Sequence, residues 1–206
     1  MKVVQPGYEI LTAIDRLEIL QAIERAGRTC YKSEDKITDV SAAKFVRMLV
    51  KRGHEAMIEH APSISVKFIC DRGVSHEIVR HRLFSFAQES TRYCNYGKAD
   101  EITIIAPCFW GDEPEKQAEW ETAMMQTEKS YLALLAMGAS PQEARAVLPN
   151  SLKTEIIVTG NVREWRHFFK LRTDNAAHPQ IRELAIPLLH EMQRLLPELF
   201  EDIEVK

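Results

Sequence analysis

The chain lacks the usual phosphate cradles. Neither GxGxxG nor GxxxxGK[ST] occurs in its 206 residues, so a bound nucleotide must have its phosphates held by side chains rather than by a glycine-rich loop. GxSxG and HExxH are absent too, which removes two common hydrolase signatures. The cysteines, Cys30, Cys70, Cys94 and Cys108, are scattered and form no CxxC pair; a disulfide framework is not expected, and a reduced, cytoplasmic setting is. No apolar leader opens the sequence, and the longest apolar runs, "YLALLAM" and "LAIPLLH", are too short to span a bilayer, so no membrane role is expected. A large excess of positive charge is also missing. The formal net charge is -3, which argues against a nucleic-acid partner.

What is present suffices for a packed core. Hydrophobic residues make up 45% of the chain, and no low-complexity linker or repeat divides it. One domain over residues 1–206 is expected. Apolar spacing predicts a first helix from Ile14 that stops near Gly27, and a second capped by Thr38 or Asp39 and closed by Gly53. "SISVKFIC", "ITIIAP" and "SLKTEIIVTG" read as strands. The segment over 112–137 reads as the longest helix, with apolar surface left for a subunit partner. Ser140 and Pro141 start a short helix, and Asn161 starts another. The helical C-terminus is interrupted at Pro187 and Pro197. Helices dominate and strands are separated, so the fold class is α+β.

One stretch stands out against the acidic background. "VRHRLFSFAQESTRY" (79–93) sets Arg80, His81 and Arg82 side by side, then, across a seven-residue spacer that ends in Gln88 and Glu89, places Ser90, Thr91 and Arg92. Arginine offers planar, bidentate donors that suit phosphate. Phe84, Phe86 and Tyr93 among these groups suit a planar ring ligand or a core. "GHEAMIEH" (53–60) offers His54 and Glu59, but its H-E-x-x-x-E-H spacing does not put two histidines on one helix face, and no metal is expected. "GNVREWRHFFKLR" places Asn161, Arg163 and His167 at spacing that can converge, followed by Arg172. Cys108 and Cys94 read as small buried hydrophobes. A nucleotide-binding module without catalysis and an RNA-binding protein are the rival readings.

Arg80-His81-Arg82, seven residues, Ser90, then Arg92-Tyr93 resembles the signature of the flavin-dependent thymidylate synthases. "GHEAMIEH", "EARAVLP" and "GNVREWRHFFKLR" resemble that family's other segments, in order, from about residue 53 to 182. The resemblance implies a helix-rich α+β subunit around a small antiparallel sheet, assembled as a homotetramer with active sites shared between subunits. It implies reductive methylation of dUMP to dTMP, with methylenetetrahydrofolate as carbon donor and FAD, reduced by NADPH, as hydride donor. Arg80, His81, Arg82, Gln88, Asn161, Arg163, His167, His54 and Glu59 match flavin-side positions. Glu77, Arg80, Gln88, Glu89, Ser90, Thr91, Arg92, Arg145 and Arg172 match dUMP positions. Arg172 and Ser90 match the catalytic ones, Arg172 at the uracil ring and Ser90 as a positioning group. Ala56, Ala87, Gln88 and Glu77 depart from residues common in the family.

Overall fold

The computed structural model describes residues 1–99 and 101–206. Its elements alternate between short strands and helices of very different length. In chain order they are β1 (Lys2–Val4), β2 (Gly7–Ile10), α1 (Arg16–Tyr31), α2 (Ser41–Lys51), β3 (Ile64–Asp71), α3 (Arg72–Ile78), β4 (Ser85–Gln88), β5 (Thr103–Ile105), α4 (Pro114–Ala136), α5 (Pro141–Ala144), β6 (Lys153–Gly160), α6 (Val162–Arg172), α7 (Pro179–Leu195) and α8 (Pro197–Phe200). Four strands form a sheet in the order β2-β3-β6-β4, and β1 pairs with β5 separately. Burial alternates along both β3 and β6, the period-2 pattern of a pleated strand with one face turned inward. The expected helix-rich α+β class is what the chain adopts.

Two compact units are distinguishable: Met1–Tyr8 with Lys67–Arg80 and Phe86–Ile157, and Glu9–Val66 with His81–Ser85 and Val158–Lys206. In the first, β1 runs parallel to β5, with Lys2 opposite Thr103 and Val4 opposite Ile105. A core of Ile102, Ile104, Trp120, Met124, Tyr131, Ala144 and Leu152 packs beneath them. Trp120 keeps its polar edge satisfied by donating Nε1–H to Ser151 Oγ at 3.1 Å, as a buried indole requires. Strands β1 and β2 are too short and too close to the start of the chain to stand out as periodic segments.

In the second unit the core is aromatic. Trp165, Phe168, Phe169 and Phe200 are fully buried, and Trp165 Nε1 donates to the Ile64 carbonyl at 3.0 Å. Here the structure corrects three expectations. Helix α1 does not stop near Gly27; it continues to Tyr31 and is closed by Lys32 in the left-handed region, φ 47°. Gly27 is instead a site of close helix approach, because a Cβ there would lie 2.6 Å from the Phe45 ring of α2. The residue capping α2 is Val40, not Thr38 or Asp39, and makes no side-chain capping bond; Ser41 Oγ accepts from Thr38 N at 2.9 Å instead. Pro187 does not interrupt α7. The helix forgoes one backbone bond there, and burial of Leu184, Ala185, Leu188 and Leu189 on either side keeps it continuous. Pro197 does act as a break, opening α8. In the first unit, Cys108 is exposed rather than buried.

Candidate functional site

The residues singled out by sequence gather in two clusters, one in each compact unit. In the first unit, β3 ends at Asp71, whose carboxylate accepts from Val74 N at 2.8 Å and caps α3. That cap orients the first turn of α3, where Ser75 is fully buried. Gln88, at the end of β4, donates its amide to Ser75 Oγ at 2.8 Å and to Thr154 Oγ1 at 3.2 Å. The next residues leave the strand in a turn. Ser90 O accepts from Tyr93 N and Cys94 N, and Ser90 Oγ accepts from Arg92 N at 3.3 Å.

This turn places Thr91 against Arg145, whose Nη1 donates to Thr91 Oγ1 at 3.3 Å. Ser140 and Glu143 form a capping box at the start of α5, which fixes the turn that delivers Arg145. Arg72, His76, Thr91, Arg145 and Asn150 line a cavity of about 260 Å³. Arg145 and Arg92 are exposed, and the Arg92 guanidinium lies 5.5 Å from the centre of the Tyr93 ring. Glu89 turns away into an internal pair: it accepts from Tyr96 Oη at 2.8 Å and from Lys153 Nζ at 3.3 Å. Exposed Arg145, bonded to the buried Thr91 hydroxyl, is chemically suited to an oxyanion such as phosphate.

The second cluster is built on α6. Asn161 caps the helix, accepting from Glu164 N at 2.9 Å. Its carbonyl is thereby spent on the fold, and only its amide N–H groups remain to donate outward. Glu55, Glu59, Leu83, Asn161, Arg163, Glu164, His167 and Lys170 line a cavity of about 490 Å³. The convergence expected of Asn161, Arg163 and His167 is therefore present, and Glu59 joins them by pairing with Arg163 at 2.6 Å. Lys170 faces Glu55 at 3.5 Å. His54 is not among these lining residues; its Nδ1 lies 2.8 Å from the Tyr31 hydroxyl. Arg166, on the same basic helix, is structural: it is buried and bonds both carboxylate oxygens of Asp202 at 2.7 Å.

The Arg80-His81-Arg82 segment does not continue α3, which ends at Ile78. It forms a turn in which Arg80 and Arg82 are exposed while His81 is 4% exposed. The seven-residue spacer is likewise not a simple turn, since it contains β4. Phe84 anchors the segment by packing 4.6 Å from the Trp165 ring and over Gly160, where a Cβ would come within 2.1 Å of the Phe84 ring. His81 Nε2 accepts from Arg172 Nε at 3.0 Å, and its ring packs 5.2 Å from Phe168 and 5.6 Å from His167. Burial, then the Arg172 and His167 charges, pushes the His81 imidazole down to about 4. Burial pushes the Glu164 carboxyl up from its ordinary range. Ligand-type atoms of His81, Glu164 and His167 lie within 4.8 Å of one another. The guanidinium already bonded to His81 opposes a dication there.

Comparison with known proteins decides the family. Residues 13–198 match the family described as thymidylate synthase complementing protein. The flavin-dependent thymidylate synthase of Corynebacterium glutamicum is 34% identical over 201 residues, covering 89% of this chain and 79% of that protein. That of Mycolicibacterium gilvum is 37% identical over 203 residues, with the same coverage. The chain belongs to the flavin-dependent thymidylate synthase family. A UMP/dUMP methylase, PolB from Streptomyces cacaoi, solved with 5-Br dUMP, shares the fold of this family member: TM-score 0.80, 24% identity, 98% of this chain and 96% of that one. Arg166 and Asp202, Glu164, and the hydrogen-bonded trio Ser75, Gln88 and Thr154 were not foreseen as partners. Only Glu164 carried a signal, as the acidic residue in a basic helix.

Proposed function

We propose that the chain catalyses the reductive methylation of dUMP to dTMP, taking its carbon from methylenetetrahydrofolate and its hydride from FAD reduced by NADPH. The observation that carries this reading is convergence within a member of this family: Asn161, Arg163 and His167 line one cavity, and Arg172 is bonded to His81 of the Arg80-His81-Arg82 motif.

The donor set fits a ligand with phosphates and a planar ring. Asn161 amide, Arg163, His167 and Lys170 offer N–H groups around the 490 Å³ cavity, and Leu83 adds an apolar wall. Glu59 and Glu55 occupy Arg163 and Lys170, so anionic phosphates bind by taking over those cations from the carboxylates. Arg80, Arg82, Gln88 and His54 complete the flavin-side positions. When bound, the flavin supplies the hydride.

The chain's own residues do the rest. Arg145 and Arg92 hold the dUMP phosphate and sugar side, with Thr91 fixing Arg145. Ser90, its backbone tied into the turn, positions the nucleotide, with Glu77, Gln88 and Glu89 at neighbouring dUMP positions. Arg172 stabilises negative charge that develops on the uracil ring, worth most in a site that excludes water. This role for Arg172 and Ser90 favours an enzyme over a bare nucleotide-binding module. The formal charge of -3 weighs against RNA.

The working unit is a homotetramer of single-domain subunits with shared active sites. Helix α4 supports an intersubunit role, since over 23 residues it buries only Trp120, Met124 and Tyr131 and leaves Met125 exposed. The setting is the cytoplasm; no helix among the described residues is long and apolar enough to cross a membrane. Purified protein is expected to be yellow and to release hydrogen from C5 of dUMP only with reduced flavin and folate present. A colourless protein that cannot take up FAD would overturn the reading.

A further inference from the structure

Helix α6 carries a stripe that the proposed reaction does not by itself explain. Glu164, Phe168 and Arg172 follow at i, i+4 and i+8, one above another on a single helix face. The His81 ring lies against the middle of this stripe, 5.2 Å from the Phe168 ring centre. One of its nitrogens reaches each end: Nε2 to Arg172 Nε at 3.0 Å, Nδ1 to Glu164 Oε1 at 3.4 Å.

Proton bookkeeping settles the tautomer. A guanidinium N–H can only donate, so Nε2 must accept and carries no hydrogen. His81 stays neutral through the physiological range because burial and the adjacent Arg172 charge push it down to about 4. Its single N–H therefore sits on Nδ1. That N–H is buried and has no well-formed hydrogen bond among the described residues, and the Glu164 carboxylate lies beside it, Oε1 3.4 Å from Nδ1. Glu164 is itself 4% exposed and tethered through its backbone to the Asn161 cap.

We propose that Glu164 is a positioning residue. It holds His81 as the Nδ1–H tautomer, so that Nε2 accepts from Arg172 and fixes the plane of the guanidinium. The opposite tautomer would aim an N–H at the Arg172 N–H, and the arginine would be displaced. This rests on the reading of Arg172 as the group that acts on the uracil ring.

The test has two arms. In the first, flavin-free chain is labelled with 15N-histidine, and His81 is assigned by the loss of its signals in His81→Gln. The Nδ1–H pattern is expected in wild type, and loss or mixing of that pattern in Glu164→Ala. An Nε2–H pattern in wild type, or an unchanged pattern in Glu164→Ala, overturns the inference whatever the enzyme does. In the second arm, Glu164→Ala is expected to keep its flavin absorbance and lower kcat about 30-fold, the size of a misplaced catalytic group, with a smaller change in KM for dUMP. Glu164→Gln, whose amide oxygen can still accept from Nδ1–H, is expected to recover most of that loss. Turnover within about twofold of wild type in Glu164→Ala, or loss of flavin from it, overturns the positioning role. If Arg172→Ala itself turns over normally, the reading of Arg172 fails, and the histidine spectrum still decides the tautomer.

Discussion

The two clusters solve the problem of holding reactive groups in opposite ways. Around His81 buried and half-buried groups are bonded to one another: half-buried Arg172 to buried His81, and half-buried Asn161 to the backbone N of buried Glu164. Around Arg145 the buried partner is a neutral hydroxyl, that of Thr91, and Arg145 and Arg92 are exposed. A buried network keeps its geometry because each broken bond leaves an unsatisfied group in low dielectric. Exposed arginines can adjust to an incoming anion at little cost. The first arrangement suits a group whose angle matters to a transition state. The second suits a group that must grip and release phosphate.

The largest expected effect lies in the buried cluster. Arg172→Ala should lower dTMP formation about a thousandfold, roughly 4 kcal/mol of transition-state stabilisation, while the flavin spectrum of the purified protein persists. Near-normal turnover would erase the distinction between the clusters. Gly160→Ala comes next. The added methyl would overlap Phe84, which is hemmed in by Trp165 and Phe168 and cannot swing aside. A loss of about 2–3 kcal/mol in urea unfolding is expected, with flavin retention falling alongside it.

Arg145→Ala should act differently. We expect KM for dUMP to rise about tenfold, or about 1.4 kcal/mol, with thermal stability and flavin content unchanged, since Arg145 is exposed and, among the described residues, its side chain bonds to Thr91 alone. A fall in stability would show this cluster to be as tightly woven as the other.

The smallest effect concerns pH. An unfolded histidine takes up a proton below about 6.5, whereas native His81, faced by Arg172, His167 and Glu164, does so only near about 4. Between those values the unfolded chain binds more protons, so stability falls as pH drops from about 6.5 towards 4. Urea unfolding at pH 7 and pH 5 should show about 1 kcal/mol of this dependence disappearing in His81→Gln.

Legibility differed between the clusters for a physical reason. Asn161, Arg163 and His167 lie on one helix, so helical spacing alone foretold their convergence in a single cavity. The start of α5, the short helix that leads to Arg145, was readable from Ser140 and Pro141, whereas the turn at Ser90 was not. His81 was read with Arg80 and Arg82 as one cationic set, because adjacent residues in a string look alike. The turn separates them, burying the middle residue and exposing its neighbours. Gly27 was read as a stop because a glycine late in a helical pattern usually is one; the Phe45 ring that needs its missing side chain is supplied by a different helix.

What the sequence by itself determined is the set of periodic elements and the ordered motif, Arg80-His81-Arg82 through Ser90 and on to Arg172, that carries the family resemblance. Both are local properties: a helix face, a cap and a spacing are set within a few turns of chain. What only the tertiary structure decided is the role of each charge within that motif. Whether an arginine is exposed to an anion, spent on Asp202, or bonded to an imidazole depends on partners distant in the chain. His81 and Arg172 are ninety-one positions apart, and no local pattern records their meeting.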